Sequence, residues 1–217
     1  MKIPTLQQAK ALIEEAGKLN PGKWIDHSIH AARAAQRIAR QHPALDPETA
    51  YILGLLHDIG RRKGIMQMRH SVEGYKFLMD QGFVDAARIC LTHSFPYKEI
   101  HVICGKWDCT DEDIVLIQSY IDGIEYNEYD RLIQLCDVLA LPTGFCLMEK
   151  RFVDVALRYG TSNYTILKWK AFFEIKNGLE KEIGRSVYSV LPGIIENTFE
   201  LDVEEFTKEV LDDEGLN

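Results

Sequence analysis

The chain has 217 residues, 46% hydrophobic and 27% charged, with 33 acidic against 25 basic side chains and a net charge of −8. That length is enough for one domain with a real core, and the composition excludes global disorder. The acidic balance argues against a surface that binds nucleic acid by neutralising phosphates. A bound divalent cation could still reverse the local sign and admit a small phosphorylated substrate.

The five cysteines, Cys90, Cys104, Cys109, Cys136 and Cys146, form no CxxC pair. They read as reduced thiols of a cytoplasmic protein, and no zinc knuckle is expected. The N-terminal segment carries charges through its middle, unlike a signal peptide. No apolar run reaches the roughly 18 residues of a membrane span. A soluble protein without a membrane partner is the expectation.

In chain order, Thr5 and Gln8 form a capping box, and Leu6, Ala9, Leu12, Ile13 and Ala16 stripe a first helix that Asn20-Pro21-Gly22 breaks. A second helix is predicted from Lys23 to Gln41, before Pro43. Asp46-Pro47 opens a third, whose apolar segment Ala50–Leu56 leads into His57-Asp58, with Gly60 as its C-terminal signal. Further helical patterns cover 70–80, 83–93, 111–126, 128–140, 147–159, 163–183 and 202–212, while Ile100–Cys109 reads as short strands or loop. The fold class is therefore all-α. Composition shifts after Tyr159-Gly160, which divides the chain into a domain at 1–160 and a helical extension at 161–217. The extension is expected to cap a pocket or mediate a homodimer. Trp169, Phe172 and Phe173 on one of its helices could equally be core.

Three features carry chemistry. His57 and Asp58 end an apolar helix, where burying two polar groups is costly unless partners or a metal satisfy them. His27 leads a stripe of Ala31, Ala34, Ala35 and Ile38, although His30, with Ala34 and Ile38 at its own helical offsets, fits by spacing almost as well. Asp137 interrupts the apolar run Leu132–Ala140, so it is either metal-bound or paired with an arginine such as Arg131 or Arg61.

Together, His27 in HSIHAARAAQRIA, His57-Asp58 in LHDIG and Asp137 in LCDVLA resemble the H…HD…D signature of the HD-domain metal-dependent phosphohydrolases, over roughly residues 23–140. The resemblance favours His27 over His30 and implies an HD-like helical bundle with His27, His57, Asp58 and Asp137 as metal ligands. His70 and His93 stand where a two-metal branch, similar to dinucleoside polyphosphate hydrolases, carries extra ligands. Some members of that branch have a second histidine directly after the one matching His93, and this chain has Ser94. Read without the resemblance, His70 is a surface or capping residue and His93 a core histidine bonded to backbone. His42 and His101 match nothing.

The mixed N/O donors would suit Fe, Mn, Co, Ni or Zn, one ion or two, with Asp58 as the bridging ligand. His57, Asp58 and Arg61 would carry the catalysis, and Arg61, Lys63 and Arg33 would bind substrate phosphate. Arg62 is expected to face solvent. Lys106 is a weaker phosphate candidate, and Trp107, Tyr97 and Phe95 could stack on a base. The implied substrate is a nucleotide or a dinucleoside polyphosphate. The same architecture also holds di-iron oxygenases and modules that bind a nucleotide without turning it over.

Overall fold

The computed structural model describes residues 1–103 and 105–201. Among the described residues ten α-helices dominate: α1 (Leu6–Leu19), α2 (Trp24–Ala39), α3 (Pro47–Leu56), α4 (Arg69–Asp80), α5 (Val84–Thr92), α6 (Asp111–Gly123), α7 (Glu128–Val138), α8 (Met148–Tyr159), α9 (Thr165–Ile183) and α10 (Ile194–Phe199). Short 3-10 turns cover Ile59–Lys63, Ile100–Val102 and Val187–Val190. The helical pattern at 202–212 lies outside the described residues.

Local chemistry sets many of the boundaries. The Thr5–Gln8 capping box opens α1 with both reciprocal bonds formed. Asp46 accepts from the Thr49 amide at 2.7 Å, with Pro47 following as the first helical residue of α3. Asn127 and Asp130 make a second capping box at the head of α7.

Helix α3 is the axis of the fold. It is buried along Ala50, Ile52, Leu53, Gly54, Leu55 and Leu56, because it is apolar on nearly every face. It packs against α1, α2, α5 and α7. The α2–α3 crossing is backbone to backbone, since a Cβ on Gly54 would fall 2.7 Å from the Ala32 Cα. The small residues of the α2 stripe permit that approach. Because α3 lies at the centre, its C-terminal end places His57 and Asp58 deep inside the bundle.

One apolar cluster joins α1, α2, α3, α5 and α7 to Phe152 of α8, to Phe172, Ile175 and Leu179 of α9, and to Ile194 of α10. A smaller one gathers Met68, Val72, Leu91, Phe95, Val102, Ile117 and Ile121 beneath α6. Asp130, fully buried, pins α7 to α5 by accepting from Arg88 at 2.6 Å and from the Thr92 hydroxyl at 2.8 Å.

The structure corrects several details. For 100–109 the loop alternative holds, with a 3-10 turn and irregular backbone and no strand among its described residues. Strands occur instead at Ala140–Leu141 (β1) and Gly144–Phe145 (β2), an antiparallel pair pairing Ala140 with Phe145. Two-residue strands leave no alternation to read. The helix expected over 111–126 ends at Gly123. Gly60 does not cap α3. It lies within the 3-10 turn, pressed on α4 so closely that a Cβ would stand 2.0 Å from the His70 carbonyl oxygen.

Candidate metal centre

Five helix ends deliver the polar groups. His27 lies in the first turn of α2 and His70 in the first turn of α4. His57 and His93 follow the last residues of α3 and α5, and Asp137 is in the last turn of α7. Asp58 adopts φ −103° and ψ 11°, the bridge region between helix and turn, which turns its carboxylate towards the same space as His57.

Each histidine is oriented by main chain. His27 Nδ1 contacts the Ala140 carbonyl at 3.2 Å, His57 Nδ1 that of Gly54 at 2.7 Å and His93 Nδ1 that of Ile89 at 3.1 Å. His70 Nδ1 bonds the Gln67 carbonyl. A carbonyl only accepts, so all four rings donate from Nδ1 and present an Nε2 lone pair inward.

Those lone pairs converge. The Nε2 atoms of His27 and His57 are 3.3 Å apart, and those of His70 and His93 are 3.2 Å apart. Asp137 Oδ1 is 3.0 Å from His27 Nε2 and 3.7 Å from His57 Nε2. Asp58 reaches both pairs: its Oδ2 is 3.9 Å from His57 Nε2, its Oδ1 3.0 Å from His70 Nε2 and 3.8 Å from His93 Nε2. Two groups with donor atoms within 4.8 Å of one another result, His27–His57–Asp58 and Asp58–His70–His93, and both are buried.

This donor set fits divalent metal. Facing lone pairs and two carboxylates, Asp58 buried and Asp137 partly so, repel one another unless a cation or protons stand between them. The protonation equilibria show the same tension. Burial opposes charge on His57, yet Asp58 and Asp137 beside it raise its pKa. Burial, reinforced by His57 and His70, pushes His93 down to about 3 and keeps it neutral, as a ligand must be. Asp58 and Asp137 stay well below the usual carboxylate range despite burial: Arg61, His70 and His57 hold Asp58 there, while His27 and His57 hold Asp137.

Arg61 donates from Nε to Asp58 Oδ2 at 2.6 Å and from Nη1 to the Met66 carbonyl at 3.0 Å. It therefore orients Asp58 while lining the cleft outside. Asp137 has histidine partners, and Arg131 turns instead to Pro96 and Gln134.

The other predicted residues lie elsewhere. His30 packs edge-on against Phe145, and Arg33 and Arg37 share a separate cleft with it. Lys63 pairs with Glu73. Arg62 sits 4.1 Å over the Phe77 ring, so it packs on the surface rather than extending into water. Lys106 is exposed and Trp107 packs against the smaller apolar cluster, of which Phe95 is a buried member. Tyr97 lines a separate cavity.

Above the centre, a cleft of about 360 Å³ is lined by His27, Asp58, Arg61, His70, His93, Ser94 and Asp137, together with Lys23, Arg151 and Arg158. A neighbouring chamber of about 220 Å³ shares Arg61, Arg151 and Arg158 and adds Lys168, Tyr159, Trp169 and Phe172. Sequence reasoning passed over Lys23, Arg151, Arg158 and Lys168. The readable signal was Arg151, Val155 and Arg158 at helical offsets on one face of α8.

Fold and site together define an all-helical domain with a buried histidine–carboxylate centre able to hold divalent metal. Residues 24–141, more than half of the chain, match the family model of the HD domain, and the chain belongs to that family. Comparison with curated proteins and with solved structures found no match. Among the described residues, no helix is long and apolar enough to cross a membrane.

Proposed function

We propose that this protein is a metal-dependent phosphohydrolase that cleaves a phosphate ester or anhydride bond of a small substrate, a nucleotide or dinucleoside polyphosphate, with water as nucleophile. The observation that carries this reading is the pair of buried ligand groups sharing Asp58. A divalent metal held there would supply an activated water near neutral pH and offset charge on phosphoryl oxygens. His27, His57, Asp58 and Asp137 would hold one ion, and His70, His93 and Asp58 a second.

The chain's own groups do the rest. The four backbone carbonyls fix each imidazole in the tautomer protonated at Nδ1, with the Nε2 lone pair free, before any ligand arrives. Arg61 keeps the Asp58 carboxylate ionised and oriented. The cleft opens on the Asp137 side, where that carboxylate is 24% exposed, which is where a substrate phosphate reaches the centre. Water adds to phosphorus as the bond to the leaving oxygen breaks, and the leaving oxygen takes up a proton.

The test is metal analysis of the purified chain together with phosphate release from nucleotides and from p-nitrophenyl phosphate and its bis ester. A stoichiometry near two supports both groups as sites. Asp58→Ala and His57→Ala should each lose bound metal and at least about a thousandfold in rate, with helical circular dichroism retained. Full activity in both variants, or oxygen uptake without phosphate release, would overturn the reading.

A further inference from the structure

Helices α8 and α9 lie beyond the matched residues 24–141, yet α8 lines the cleft above the metal centre and both helices wall the neighbouring chamber. Arg151 and Arg158 are seven residues apart on α8, on one face, and line both the cleft and the neighbouring chamber. Lys23 faces the cleft and Lys168 the chamber. Counting Arg61, four cations line the cleft with two carboxylates, Asp58 and Asp137, in a chain whose net charge is −8. Asp58 already has a close cationic partner, Arg61 at 2.6 Å. Among the described residues, Lys23, Arg151 and Arg158 form no ion pair. An unbalanced cluster of cations in a concave site repels itself and attracts a multiply charged anion.

The chamber supplies the other half of the argument. Its walls include Phe152, Val155, Trp169 and Phe172, and Trp169 is held parallel to Phe152 with ring centroids 5.5 Å apart. At about 220 Å³ it falls below the roughly 300–1,000 Å³ of a drug-sized pocket, which suits one ring system and not two. A simple phosphate monoester would engage the metal centre and leave the α8 arginines and Lys23 without counter-charge.

We propose that α8 and α9 form a substrate-recognition arm for a polyphosphate bearing a single aromatic ring system, the chemistry of a nucleoside di- or triphosphate. Arg151 and Arg158 grip the phosphates beyond the one being cleaved, and the ring lodges against the aromatic wall beside Trp169. This deepens the phosphohydrolase reading and rests on it for the position of the cleaved phosphate.

The test is equilibrium calorimetry on the full chain as purified, with β,γ-methylene ATP, AMP and methylenediphosphonate as probes. Methylene ATP should bind at least about tenfold tighter than AMP. The double substitution Arg151→Gln with Arg158→Gln should weaken methylene ATP about 10- to 100-fold and AMP no more than about threefold. Trp169→Leu should weaken both nucleotides and leave methylenediphosphonate unchanged. Thermal melting checks that each variant folds. If the double variant does not, a salt series on the unaltered chain replaces it, and affinity must fall more steeply with salt for methylene ATP than for AMP. Equal affinity for the two nucleotides, or parallel loss of both in the arginine variant, would overturn the proposal even if phosphate release is robust. The expected binding pattern without any turnover would uphold the arm and count against the hydrolase.

Discussion

Each inward-facing histidine commits its Nδ1 to a backbone carbonyl, so the candidate ligand set is prepared by the main chain rather than by a ring of carboxylates. Small residues matter as much as the candidate ligands themselves. Gly60 and Gly74 bring the turn after Asp58 against α4, where a Cβ on Gly74 would meet the Cys90 sulfur at 2.9 Å. A Cβ on Gly60 would collide with backbone atoms of His70 and Gly74, which cannot swing aside as a side-chain tip can. Gly60→Ala should therefore cost about 3 kcal/mol or more by overpacking and lower metal content through displacement of His70. Thermal denaturation and metal analysis of the same preparation check both, and an unchanged melting temperature would show that the approach is looser than described.

Among the elements, α5 and α7 must hold a fixed mutual register, because their C-terminal ends carry His93 and Asp137 to the same centre. The fully buried Asp130 provides it by binding Arg88, Thr92 and the head of its own helix. Removing one partner of a buried, hydrogen-bonded ion pair leaves the other charge uncompensated. Asp130→Ala is expected to lower stability by about 3–5 kcal/mol in chemical denaturation. Asp130→Asn, which keeps part of the hydrogen bonding, should lose less. A null effect in both would mean that other contacts hold α5 and α7 together.

The whole molecule carries its charge problem at its centre, and pH reveals it. His93 has a folded pKa near 3 against an ordinary value of 6.5, so between those values the unfolded chain binds the proton and the folded chain does not. Stability must then fall as pH drops through that window, by up to about 1.4 kcal/mol per pH unit from this group. Asp58 and Asp137, lowered in the folded state, add their loss below the ordinary carboxylate value of 3.8. His57, raised, works in the opposite sense, because its contribution is present in acid and lost as pH rises through its folded pKa. Urea midpoints of chelator-treated protein should decline from pH 6.5 towards 3, and His93→Gln should flatten that decline. A parallel decline in the variant would remove His93 as its source.

Much of this protein was legible in its sequence because the signals are local. Capping at Thr5 and Asp46 depends on residues three positions apart, and the apolar character of α3 announces a central helix. Polar groups at the end of such a helix, and an aspartate inside an apolar run, mark a place where burial needs compensation. Tertiary structure alone decided the matters that depend on what stands opposite a side chain. His27 and His30 share a helix and nearly a face, but the Ala140 carbonyl orients the first and Phe145 covers the second. Arg33 and Arg151 are both cations on amphipathic helices, and only the packing of α8 and α9 turns one towards the centre while the other lies in a separate cleft. Periodicity records which face of a helix is buried; it does not record which distant residue that face will meet.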